Sequence, residues 1–122
     1  MAQIEPTLDD NGVMDFAASG LVILEGVIDP DFNRRADSLD RGNCDAFVAS
    51  DDFTRQVLLH PQVAGVVRSL LGEDFLVPRG GHHHYFQEPH LGQTWHSDGL
   101  SGNGYDVTEL QCYYYPHSVA IE

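Results

Sequence analysis

Lysine is absent from this sequence of 122 residues, and all six basic residues are arginines. Nineteen acidic residues give the chain a formal net charge of −13 at pH 7. Nucleic-acid phosphates and anionic membrane surfaces are bound through clustered positive charge. The composition therefore argues against nucleic acid and membranes as partners, and it leaves a small-molecule substrate open.

Cysteine is scarce, and long apolar runs are missing. Cys44 and Cys112 are too few to form a disulfide framework, and Cys112, inside an apolar segment, is expected to be a small buried side chain. Residues 1–10 have neither the basic region nor the apolar stretch of a signal peptide. No run approaches the ~20 apolar residues that span a bilayer. We therefore expect a soluble, cytoplasmic protein of unspecified oligomeric state.

The length fits one small domain with a modest core. Residues 110–115 predict a strand close to the end of the chain, where an open strand edge needs a partner or a cover. We expect the chain to be the N-terminal part of a single domain. Residues 1–73 would be its helical and strand lead-in, and residues 74–122 the first strands of a barrel.

Two short helices are predicted in the first third of the chain. Residues 14–19 are expected to be helical, because Gly20 is a typical residue just after a helix end. Asp29 can cap a second helix with Pro30 at its first position, which would run to about residue 39. Residues 41–45 are expected to form a loop.

The clearest predicted helix covers residues 61–71 and ends at Gly72. Its apolar residues recur at the spacing of one buried helix face. They are Val63, Val66 or Val67, and Leu70.

Short apolar runs broken by proline and glycine predict strands elsewhere. They cover residues 21–28, 75–77, 82–87, 94–98 and 110–115. Most of the predicted helices come first, and a β-rich region follows. We therefore predict an α+β fold, in which N-terminal helices pack on a partial double-stranded β-helix, a jelly-roll or cupin-like barrel.

The segment Gln93-Thr94-Trp95-His96-Ser97-Asp98-Gly99 carries the strongest functional signal. In an extended backbone, His96 and Asp98 point to the same side, because successive side chains alternate between faces. One imidazole and one carboxylate supply two of the three ligands of the facial triad that holds Fe(II) in non-haem oxygenases. We predict that His96 and Asp98 are metal ligands, while a hydrogen-bonded surface pair beside a turn remains the alternative.

A second metal site competes with this one. His82, His84 and Glu88 have the ligand spacing of the first cupin motif, although Leu76 and Trp95 stand where that motif has glycines. A non-catalytic binding module is a further alternative.

The order of these features resembles the phytanoyl-CoA dioxygenase family of Fe(II)/2-oxoglutarate oxygenases. The resemblance covers nearly the whole chain. It depends on Phe16 with Gly20-Leu21-Val22-Ile23-Leu24, the helix from His60-Pro61 to Leu70-Leu71-Gly72, Gln93-x-Trp95-His96-x-Asp98-Gly99, and Leu110-Gln111-Cys112-Tyr113-Tyr114-Tyr115-Pro116.

This resemblance implies a hydroxylase that uses Fe(II) and the co-substrate 2-oxoglutarate, with His96 and Asp98 as iron ligands. Thr94 and Gln93 are candidate co-substrate contacts, and Thr94 could equally have a packing role. The family's distal histidine ligand and its 2-oxoglutarate-anchoring arginine would follow Glu122. We therefore expect the 122-residue chain to be a poor enzyme on its own.

Overall fold

The computed structural model describes residues 4–77, 80–82, 94 and 107–118. All regular secondary structure within these residues is helical. In chain order the helices are α1 (Asp10–Ser19), α2 (Pro30–Asp37), α3 (Arg41–Val48), α4 (Asp51–Phe53), a π-helical turn (Thr54–Leu58) that continues α4, and α5 (Pro61–Leu71). Among these helices, none has the length and apolar character required to cross a bilayer.

The two predicted N-terminal helices are present, although α1 begins four residues before its predicted start and α2 ends two residues before its predicted end. Local capping explains their ends. Asp9 accepts the backbone N–H of Gly12 at 2.8 Å at the start of α1, and Gly20 ends that helix with a φ of 76°. Such a positive φ favours glycine, which has no Cβ to clash with the backbone. Asp29 caps α2 by accepting the N–H groups of Asp31 and Phe32 at 2.8 and 3.0 Å.

Helix α5 has the predicted bounds, and Gly72 ends it. Its buried face is shifted by about one position from the predicted stripe. Ala64, Gly65 and Val66 are buried, whereas positions 63, 67 and 70 are half-buried. The shift occurs because the N-terminal segment of the chain lies against Gly65, where no side chain separates the two backbones.

The loop predicted at residues 41–45 is wrong, because α3 occupies residues 41–48. Gly42 and Asn43 are poor helix formers, and they suggested a loop. The helix forms nevertheless and places Phe47 and Val48 against the hydrophobic core. Tertiary packing of these two side chains outweighs the weak local propensity.

The predicted double-stranded β-helix is also wrong for the part of the chain that the structure describes. That part contains no strand, and the segments 21–25, 75–77 and 107–115 run without a ladder partner in it. Apolar, β-branched residues favour a strand, but a ladder also requires a second strand at hydrogen-bonding distance. Apart from His82 and Thr94, the strands predicted at 82–87 and 94–98 lie outside the described residues.

The core is small and aromatic. Phe32 of α2, Phe53 of α4 and Val57 of the π-helical turn are buried. The Phe32 ring centroid lies 6.5 Å from that of Phe53 and 5.4 Å from that of Phe47. The half-buried residues that complete this cluster are Ile28, Phe47, Val48, Leu58 and Tyr114. Tyr114 therefore brings the C-terminal part of the chain onto the helices.

Residues 4–8, which we call the N-terminal strap, are bound to α5. The N–H groups of Thr7 and Leu8 donate to Ser69 Oγ at 3.1 and 3.0 Å, and Thr7 N–H also donates to the Gly65 carbonyl at 3.3 Å. Arg68 donates to the Ile4 carbonyl and pairs with the Glu73 carboxylate. The Arg68 side chain is only 10% exposed, so this pair shields a cation that would otherwise be costly to bury.

Candidate functional site

The two predicted iron ligands, His96 and Asp98, lie outside the described residues, as does Gln93. Thr94 is described, and it is exposed. In the described residues, no group of three or more His, Cys, Asp or Glu side chains could hold a metal ion. The predicted iron site therefore stays a prediction.

The histidines that the structure does describe have separate roles. His82, from the cupin alternative, is exposed, whereas His84 and Glu88 lie outside the described residues. His60 caps α5, because its Nδ1 accepts the backbone N–H of Gln62 at 3.4 Å. The sequence placed His60 directly before this helix, and the structure adds its backbone partner.

The most complete polar arrangement in the described residues joins residues 110–118 to α2. The Tyr114 hydroxyl donates to Asn33 Oδ1 at 2.6 Å, and Asn33 Nδ2 donates to the Ile28 carbonyl at 3.2 Å. The Asn33 amide thus uses both of its ends, which fixes its orientation. Tyr114 is held in one position by this chain of hydrogen bonds.

The Tyr114 ring packs into the aromatic core. Its centroid lies 6.3 Å from that of Phe32 and 5.4 Å from that of Phe53, both in edge-to-face geometry. Burial and the nearby Asp37 carboxylate raise the pKa of Tyr114 to about 12. The phenol therefore stays protonated at neutral pH and acts as a hydrogen-bond donor.

An exposed pair lies beside this arrangement. His117 Nδ1 stands 3.0 Å from Asp37 Oδ1, and both side chains are more than half exposed. Exposed pairs of this kind contribute little to stability, because water and salt screen them. With Nδ1 facing Asp37, the Nε2 atom of His117 is the ring nitrogen that this contact does not use.

Cys112 is not an activated nucleophile. Cys112 is exposed, so the prediction that it is a buried side chain is wrong. Desolvation around its sulfur nevertheless raises the pKa of the Cys112 thiol, which keeps it protonated at neutral pH. Cys44 donates to the Asp40 carbonyl at 3.5 Å within α3.

Sequence reasoning did not identify Asn33 and Tyr114 as a linked pair. Tyr114 is half-buried between Tyr113 and Tyr115, which are 67% and 63% exposed. Alternation along an extended segment could have indicated that the middle tyrosine faces the opposite side from its neighbours. No sequence signal indicates that its partner lies 81 positions earlier in the chain.

Comparisons of this chain with protein-family models, with curated proteins and with solved structures find no match. The assignment of a function therefore depends on the residues themselves and on the resemblance that they carry.

Proposed function

We propose that this chain supplies part of the active site of an Fe(II)/2-oxoglutarate-dependent hydroxylase that acts on a small organic or acyl substrate. The observation that carries the proposal is the segment Gln93-x-Trp95-His96-x-Asp98-Gly99. Its His and Asp are two positions apart, with one residue between them, so in an extended segment their side chains share a face. The double-stranded β-helix is not part of this proposal.

The donor atoms fit the metal. A neutral imidazole nitrogen and a carboxylate oxygen are two of the three protein ligands in the facial triad of non-haem Fe(II) oxygenases. When bound, Fe(II) would couple two reactions of O2. One oxygen atom would be used in the oxidative decarboxylation of 2-oxoglutarate, which yields succinate and carbon dioxide, and the other would be inserted into a C–H bond of the substrate. His96 would supply a nitrogen donor to the metal, and Asp98 would supply an oxygen donor.

The described helices would support the site by anchoring the two segments that flank it. Residues 80–82 and 107–118 flank the segment that carries His96 and Asp98. On the first flank, the backbone of Gly81 lies close to Val48, since a Cβ on Gly81 would stand 2.9 Å from Val48 Cγ1. On the second flank, the Tyr114 ring packs on Phe32. Both flanks therefore contact the one aromatic core, which limits how far apart they can move.

The test is Fe(II) binding by the purified chain, measured by equilibrium dialysis without oxygen. His96→Ala and Asp98→Ala should each weaken Fe(II) binding by at least about tenfold, because each removes one of two protein ligands. His83→Ala is the matched control, because His83 belongs to neither of the two predicted metal sites. Unchanged Fe(II) binding in both His96→Ala and Asp98→Ala would refute the proposal.

The cupin alternative predicts the opposite dependence. Replacing His82, His84 and Glu88 together by alanine would abolish metal binding, whereas His96→Ala would leave it intact. Succinate formation with added Fe(II) and ascorbate provides a second measurement. We expect little succinate from this chain alone, because residues 99–122 contain no arginine to anchor 2-oxoglutarate. Rapid succinate formation would require a third ligand among His82, His84, His90 and His117.

A further inference from the structure

Helix α1 is ten residues long, and none of its residues is buried. An amphipathic helix in a globular protein normally buries its apolar face, because helices of this length are marginally stable by themselves in water. Met14 of α1 is instead 68% exposed. Val13 and Phe16 are half-buried, so within the described residues α1 is covered on one side only, and Met14 lies outside that contact.

The exposed apolar surface continues directly after α1. Leu21, Ile23 and Leu24 are 57%, 73% and 39% exposed. Ser19 ties this segment to the helix end, because its Oγ accepts the N–H of Leu21 at 3.3 Å and bonds to the Asp15 carbonyl at 2.8 Å. Met14, Leu21, Ile23 and Leu24 are thus four exposed apolar side chains within eleven consecutive residues, and we call this set the α1 surface.

The part of the sequence that contains the α1 surface carries charge of a single sign. Residues 1–33 contain seven carboxylates and no arginine, lysine or histidine. The side chains of Asp10, Asp15 and Glu25 are exposed and make no ion pair within the described residues. The last turn of α1 also lacks a basic residue, so the negative end of the helix dipole has no cation beside it.

We propose that the α1 surface is a docking site for a basic amphipathic segment of a protein partner. The apolar face of such a segment would cover Met14, Leu21 and Ile23. Its lysines and arginines would lie against Asp15, Glu25 and the carbonyl end of α1. Charge complementarity selects this partner over a second copy of the chain, which would bring the same carboxylates together. It also selects against an anionic lipid surface.

The probe is a synthetic amphipathic helix of leucine and lysine, and its binding to the purified chain is measured by fluorescence anisotropy. The double variant Leu21→Ser/Ile23→Ser should bind it about tenfold more weakly, since two apolar contacts are lost. Leu76→Ser is the matched control, because Leu76 is 91% exposed but lies after α5. It should bind the peptide as the wild type does.

The charges are tested separately. Asp15→Asn/Glu25→Gln should weaken peptide binding by about fivefold and reduce its salt dependence, because two rim charges are removed. Glu109→Gln, an exposed carboxylate outside residues 1–33, should leave binding unchanged.

Four outcomes would overturn the proposal. The first is equal binding of a peptide of the same composition whose leucines are scrambled around the helix, and the second is equal binding of the original peptide by the Leu21→Ser/Ile23→Ser variant. The third is binding of the chain to anionic vesicles through these residues. The fourth is self-association of the chain that the double variant abolishes. The Fe(II) dialysis experiment is independent of all of them, so the docking site can fail while the proposed hydroxylase function stands.

Discussion

Replacing Gly65 with alanine should destabilise the protein, although alanine is the better helix former. In an unobstructed helix interior, this substitution gains up to about 1 kcal/mol of stability. In α5, however, a Cβ on residue 65 would stand 2.7 Å from the Glu5 carbonyl oxygen and 2.9 Å from the Thr7 hydroxyl. The carbonyl oxygen belongs to the backbone and cannot rotate away. The N-terminal strap must therefore move.

Moving the strap costs hydrogen bonds. Four of them join Thr7 and Leu8 to the Gln62 and Gly65 carbonyls and to Ser69 Oγ. At the low end of the usual range, about 0.5 kcal/mol for each bond, their loss costs about 2 kcal/mol. The gain in helix propensity offsets about half of this cost. The net expectation is a loss of about 1 kcal/mol in the free energy of unfolding.

Gly42→Ala is the matched control, because Gly42 lies in α3 and nothing would come within 4 Å of a Cβ there. It should be neutral or stabilising, by up to about 1 kcal/mol. Both variants are compared with the wild type by urea unfolding and by thermal unfolding, each followed by far-ultraviolet circular dichroism. We expect the Tm of Gly65→Ala to fall by about 5 °C. If Gly65→Ala is as stable as Gly42→Ala, the strap is not packed on α5 as described.

Asp29→Ala should lower the free energy of unfolding by about 1 kcal/mol, because Asp29 caps α2 through two backbone N–H groups. The control Asp40→Ala should change this free energy little, because Asp40 precedes α3 without making a side-chain cap. Equal effects in thermal unfolding would contradict the capping assignment. Tyr114→Phe should cost about 1 kcal/mol, because the hydrogen bond to Asn33 is lost, whereas Tyr115→Phe should be neutral. Because the pKa of Tyr114 rises from 10.0 to about 12 on folding, its contribution to stability is complete below pH 10 and is lost as the pH rises through about 12. Urea unfolding across this range should show a steeper alkaline loss of stability in the wild type than in Tyr114→Phe, and parallel curves would refute this role.

Local signals predicted α1, α2 and α5, because each depends on residues that are neighbours in the chain. Asp29 with Pro30 begins α2, and Gly20 and Gly72 end α1 and α5. The same signals failed at α3, where residues 41–45 were predicted to form a loop, and at residues 21–28, 75–77 and 110–115, which were predicted to be strands. In those places the outcome depends on whether a distant part of the chain supplies a packing surface or a ladder partner.

For the candidate site, the sequence determined which residues could serve as iron ligands, since the types and spacing of His96 and Asp98 are properties of adjacent positions. It also determined the negative charge and the absence of basic residues before Arg34. Only the tertiary structure showed that Tyr114 reaches Asn33, that Gly65 leaves room for the N-terminal strap, and that α1 has no buried residue. Each of these facts depends on the distance between residues far apart in the chain, which is set by how side chains pack together and not by local conformational preference.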